Sequence, residues 1–177
     1  MIFDTINKND DGLRFVKART DNKRKVLVQL NGVKVVDVAE EEITFDLASE
    51  KNRGKISSVD STTVAAAIEH SEEWFGRALP DTVIRGAYIP SAKDDCLIEC
   101  ERIEAIKIYD ASTQEVDIES LQKDKSCDVI LEFSGIWFAK KNFQGTWNLV
   151  QVRVHPEPIL DNYPDGFAFV DSDDDEK

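Results

Sequence analysis

Histidine, cysteine and methionine are scarce in this sequence, with two, three and one copies in 177 residues. Cys96, Cys100 and Cys127 make an odd count, which argues against a disulfide framework. Cys96 and Cys100 stand four apart in CLIEC and share one face of a strand. A metal there needs further ligands from His70, His155 or a carboxylate, and no CxxC or HxxxH spacing supplies them. Buried, inert thiols are the expected state. The GxxxxGK[ST], GxSxG and HExxH patterns are all missing, so no enzyme and no cofactor is expected. Asp94-Asp95 and the pair Glu99 and Glu101 are the carboxylates nearest to a Mg²⁺ arrangement, but strand carboxylates of this kind are ordinarily solvated.

Long apolar runs are also lacking. None approaches the roughly 18 residues that span a bilayer, and MIFDTINKNDDG has neither the basic region nor the apolar stretch of a secretory signal. No membrane partner and an intracellular setting are therefore expected. The length suits one domain with a real core, and a homo-oligomer is compatible with it.

What the chain has in excess is acid. Net charge is −13 and the pI about 4.6, which taken as a sum discourages contact with nucleic acid. The charges are segregated, however. Gly12 to Val36 holds seven bases, Arg14, Lys17, Arg19, Lys23, Arg24, Lys25 and Lys34, against one acid, Asp21. From Asp161 onward there are seven acids against one base, ending DSDDDEK.

Residues 1 to 11 read as a flexible lead-in, 12 to 155 as a β-rich domain, and 156 to 177 as an acidic, proline-containing tail. GLRFVKA, VLVQL, VKVVDV and EEITFDL read as strands. Asn31-Gly32 adopts positive φ at low cost and predicts a tight hairpin. SEKNRGKISS reads as a loop. Val64, Ala67, Ile68, Ser71, Trp74, Phe75 and Ala78 follow helical spacing, so one amphipathic helix is predicted over 59–78, capped by Ser57 with Asp60 and stopped by Pro80. TVIRGAYI, CLIECERIEAIKIY, DVILEFSGIWFA and TWNLVQVRV read as further strands, with a short helical turn at VDIESLQKD. Strands, one helix, then strands suit an OB-like Greek-key barrel with the helix between its third and fourth strands, or an elaborated sandwich.

The hairpin FSGIWFAKKNFQGTWNLVQVRV crowds rings and cations together. Val150, Val152 and Val154 form a core face, which leaves Trp147 beside Gln151 and Arg153 on a wetter one. Phe143 lies in the turn, so it and Trp147 are expected to be exposed. Trp137 and Phe138 either pack on the helix or join them, and Gly135 in mid-strand marks a point where the faces can flip. Exposed rings beside cations are the composition of a single-stranded nucleic-acid platform, on which bases stack while Lys and Arg meet phosphates.

A β-rich domain with a basic, aromatic hairpin surface and a terminal DSDDDE resembles the single-stranded DNA-binding proteins of phages and large DNA viruses. The chain ends Glu176-Lys177 where such tails often end in an aromatic or apolar residue, with Phe167 and Phe169 lying upstream. The expected function is sequence-independent binding of single-stranded DNA in replication or recombination. Arg14, Lys17, Arg19, Lys23, Arg24, Lys25 and Arg153 would meet phosphates, Trp137, Phe143 and Trp147 would stack bases, and Lys140 and Lys141 would assist. The tail would compete with DNA or recruit replication proteins. The alternative is a viral structural or protein-interaction module with no nucleic-acid binding.

Overall fold

A computed structural model describes residues 1–8, 13–94 and 96–156. The elements run β1 (Ile2–Phe3), β2 (Asn7–Lys8), β3 (Arg14–Arg19), β4 (Val26–Val38), β5 (Glu42–Asp46), α1 (Glu50–Glu69), α2 (Ser71–Phe75), α3 (Asp81–Ala87), β6 (Tyr88–Ile89), β7 (Ala92–Lys93), β8 (Leu97–Tyr109), β9 (Ser126–Phe138) and β10 (Phe143–Val154). Five of these strands close on themselves. β4 pairs antiparallel with β5 and β5 with β8, β8 runs parallel to β10, β10 is antiparallel to β9, and β9 returns to β4. That ring is the Greek-key order of an OB barrel. Its helical insertion falls between the second and third barrel strands, not the third and fourth, because the basic GLRFVKA strand stands outside the ring.

Asn31-Gly32 makes no hairpin. Both residues lie within β4, where the register against β9 slips between Leu30 and Val33. Gly32 has the expected positive φ, 63°, but spends it on a bulge. The two residues are exposed while Leu30 and Val33 both stay fully buried. The extra residue thus bends one 13-residue strand so that it serves β9 and β5 in turn. The Gly32 N–H donates to Asp128 at 2.9 Å.

The helix starts earlier than its apolar spacing indicates. Ser49 is the N-cap, its hydroxyl accepting from the Asn52 N–H, and SEKNRGKISS is helical despite its glycine and serines. Asn52 is buried and donates to the carbonyls of Asn31 and Leu47, both at 2.8 Å, which ties the first turn of α1 to the β4 bulge. Asp60 is therefore no cap. It sits in mid-helix and accepts from Tyr88 Oη at 2.6 Å, Ser91 Oγ at 2.5 Å and the Ser91 N–H at 3.0 Å. TVIRGAYI, read as a strand, is mostly α3, and only Tyr88–Ile89 pair, with Phe143 and Gln144 of β10.

Two short pieces of the lead-in pair with β3. Ile2 and Phe3 pair with Arg19 and Ala18, Asn7 and Lys8 pair with Phe15 and Arg14, and Phe3 stands edge-on to Trp74 at 5.4 Å. The acidic tail lies outside the described residues from 157 on.

Candidate nucleic-acid interface

β9 is a long strand with two neighbours end to end on one edge. Val26 to Leu30 of β4 pair with Phe133 to Val129, and Arg14 to Lys17 of β3 pair with Phe138 to Gly135. The β3–β4 connection, carrying Lys23 and Arg24, therefore springs from the middle of this seam. Alternation along β3 sends Val16 and Ala18 into the core and leaves Phe15, Lys17 and Arg19 on the other face.

Gly135 does reverse the pattern of β9. Cys127, Val129, Leu131 and Phe133 point inward before it, and Ile136 and Phe138 after it, so Trp137 faces outward. Its φ is 153°, and a Cβ there would collide with the Val16 carbonyl and lie 2.6 Å from Cζ of Phe15. The missing side chain lets the Phe15 ring lie across the strand, 4.7 Å from the Trp137 ring at 43°. Both rings are only half-buried.

Lys17 shares the face of Phe15, and Lys23 and Arg24 lie on the β3–β4 connection; all three are exposed and without an ion-pair partner among the described residues. Lys25 reaches Glu132 at 2.8 Å but keeps 66% of its side chain exposed. Arg19 is bound to Asp4 at 2.8 Å. From Glu132 to Phe138 the seam runs about 20 Å at roughly 3.3 Å per residue.

Arg14 projects to the opposite side of β3 from Phe15. Its guanidinium lies 5.7 Å over the Phe138 ring and donates to the Trp74 carbonyl at 2.9 Å. There it joins Lys140, Lys141 and Arg77 around a cavity of about 240 Å³ between the β9–β10 turn and α2–α3. Phe75, Leu79 and Val83 form part of its apolar floor, and no carboxylate lines it among the described residues.

Phe143 and Trp147 do not belong to this surface. They are 1% and 3% exposed, which corrects the expectation for both. Phe143 stacks on Phe138 at 5.6 Å and meets Phe75 and Tyr88 edge-on or tilted, so the ring-rich hairpin end is a plug packed under α2. Trp147 packs on Phe133 at 5.1 Å, and its indole N–H donates to Ser91 Oγ at 2.8 Å. The register slip between Leu149 and Gln151, with Val150 as the extra residue, puts Trp147 and Leu149 on the same inward face as Val152 and Val154. Arg153 is exposed, but stands at the far end of β10 and is held by Asp128, as is His155 at 2.9 Å. Burial would raise the Asp128 pKa, yet hydrogen bonds from Arg153, the Gly32 N–H and His155 together hold it below its usual value.

The second and third strands of an OB barrel and the loop joining its first two strands form its usual ligand face. Here they carry Glu40, Glu41, Glu42, Glu99 and Glu101, all exposed. Glu42 stands directly across from Glu101, and burial and that neighbour raise the Glu101 pKa. On β8 itself Lys107 is paired with Glu115 and Arg102 donates to the Ala39 carbonyl, while the β9–β10 turn presents Lys140 and Lys141.

Sequence reasoning missed Phe15 and Arg77. Phe15 was legible in RFVKAR as the residue alternating with Lys17, whereas Arg77 follows a helix end and carried no signal. Two of the thiols, Cys100 and Cys127, are buried as expected while Cys96 is half-buried; burial, with nearby carboxylates, pushes Cys100 well up and Cys127 to about 12, so both stay protonated. No helix among the described residues is long and apolar enough to cross a membrane.

A model described as a family of unknown function (DUF5871) matches residues 31–171. No curated protein matches the sequence. Among solved structures, the single-stranded DNA-binding protein of bacteriophage Enc34 superposes with a TM-score of 0.51 at 13% identity, covering 98% of each chain. Its C-terminally truncated form gives 0.51 at 12% identity, covering 81% of this chain and 96% of that one.

Proposed function

This chain belongs to that family of unknown function, and we propose that it is a non-enzymatic single-stranded DNA-binding protein. The observation that carries the reading is the seam of β3 on β9, where the half-exposed Phe15–Trp137 pair lies beside the unpartnered Lys17 and the seam leads to the cationic β3–β4 connection. A ring face beside lysines suits a base stacked next to its own phosphates, a contact worth about 1–3 kcal/mol per base and largely indifferent to sequence. The shared fold with the Enc34 protein supports the same reading.

In this reading Lys17, Lys23, Arg24 and Lys25 meet phosphates along the seam, Trp137 and Phe15 stack a base, and Arg14, Arg77, Lys140 and Lys141 carry the strand past the hairpin tip. The acidic face of β5 and β8 repels the backbone and confines it to this path. A role in replication or recombination follows from what such proteins do, with the acidic tail competing for the cationic path or recruiting replication proteins.

The test is oligo-dT binding across a salt series. Affinity falls steeply with salt, because bound phosphates displace counterions, and a chain ending at residue 160 binds more tightly than the full one. Absence of binding at low salt, with or without the tail, rejects the reading in favour of a protein-interaction module.

A further inference from the structure

The outward face of β9 continues past Glu132. Two residues earlier Ile130 lines a cavity of about 330 Å³, a size that holds a ring ligand. Tyr109 and Thr113 wall it on one side, Gln29 comes from β4, and Gln151 and Arg153 come from β10. Its chemistry differs from that of the rest of the surface: an apolar floor, an aromatic wall and two primary amides, each with both donors and an acceptor.

The cavity is held open by fixed parts. Asp110 accepts from the Ser112 and Gln114 N–H groups at 2.8 and 2.9 Å, and Thr113 keeps a positive φ of 64°, so the wall is a preformed turn. Gln29 Nε2 donates to Asn31 Oδ1 at 2.9 Å, which orients its amide and leaves the carbonyl available. The side chains of Gln151, Tyr109 and Thr113 have no hydrogen-bond partner among the described residues. Asp128 also borders the cavity, but its carboxylate is already engaged by Gly32, Arg153 and His155.

We propose that this cavity receives one nucleobase of the bound strand and reads its edge through Gln29 and Gln151. The seam approaches it directly, since Ile130 and Glu132 share one strand face and Leu27 and Gln29 are their neighbours on β4. A strand tracking Lys17 and Lys25 reaches the cavity within two residues of β9. Most positions of the strand are held by phosphate and ring face, and this one is held by hydrogen bonds, which discriminate between bases. The inference rests on the single-stranded DNA reading above.

The experiment measures affinity for dA, dC and dT homo-oligonucleotides of about ten nucleotides, a length within the range of one OB domain, at fixed salt. The wild-type affinities are expected to spread by roughly tenfold or more. In Gln29→Ala/Gln151→Ala the spread shrinks to about twofold with the salt slope unchanged. Gln29 is exposed and Gln151 half-buried, and a matching melting curve verifies the fold of the variant. A wild-type spread within twofold, or one that survives in the variant, overturns the base-reading cavity and leaves the parent reading intact. No binding to any oligonucleotide rejects both.

Discussion

Phe15 and Trp137, 122 positions apart in the chain, face each other 4.7 Å apart across antiparallel strands. They are the aromatic pair that the barrel leaves half-open beside its cations.

Trp137 should carry the optical response to DNA. Trp74 and Trp147 are 1% and 3% exposed, so Trp137→Phe is expected to abolish most fluorescence quenching by oligo-dT while keeping most of the affinity. Trp137→Ala should cost about 1–3 kcal/mol of binding. Quenching that persists in Trp137→Phe places the contact elsewhere.

Gly135→Ala should damage fold and site together. The added methyl meets the Val16 carbonyl and the Phe15 ring at a φ that side chains rarely adopt, so a loss of about 2–4 kcal/mol is expected. Denaturant melts give the stability. Binding by the folded fraction should also weaken, because Phe15 is displaced.

Lys25 has two roles that a cycle separates. Glu132 is 5% exposed and Lys25 is its ion-pair partner, so Lys25→Ala should destabilise by about 1–3 kcal/mol, and adding Glu132→Gln should restore most of that. The salt slope of DNA binding should fall by about 0.7 in both variants, since the phosphate contact is missing in each.

Trp147→Ala tests the corrected placement. A fully packed ring with a satisfied indole N–H should cost about 3–5 kcal/mol on truncation, read in thermal melts. Trp147→Phe should leave both DNA affinity and its fluorescence quenching unchanged, whereas replacing a stacking tryptophan removes the quenching.

Acid should loosen the far end of the barrel. The Asp128 pKa is lowered in the folded chain, so its contribution to stability is present above its ordinary value near 3.8 and is lost as pH falls through the lower folded value. Asp128→Asn is expected to flatten the stability curve below pH 3.8 and to lower stability at neutral pH, as followed by circular dichroism.

The strands from Ser126 to Val154 were legible because alternation of apolar residues is a local signal. What escaped was decided by partners distant in sequence. Asn31-Gly32 has the dihedral preference of a hairpin turn, and only the presence of β9 alongside makes it a bulge. Trp147 looked wet because strict alternation was extended through a register slip, and Phe143 looked exposed because turns usually are, with no hint that α2 would settle over it. The helix start was hidden because Asn52, a weak helix former, is stabilised by carbonyls of β4 and of the α1 lead-in. Among the site residues, the seam cations were readable as composition. Their division by strand parity, with Arg14 on one side and Lys17 on the other, required knowing that β3 pairs with β9.

The placement of β9 between β4, β3 and β10 has a consequence for how the chain is made. Lys25 and Glu132 are 107 residues apart, and every barrel partner of β4 except β5 is synthesised after the helices. Loop-closure entropy must be met before such distant pairs are rewarded. On a ribosome the basic strand β3 has β1 and β2 beside it early but waits for its β9 neighbour until residue 138 has emerged, and the ring itself can close only when the parallel β8–β10 contact forms. Slow maturation of the nascent chain, with a window for chaperone capture, follows from that order.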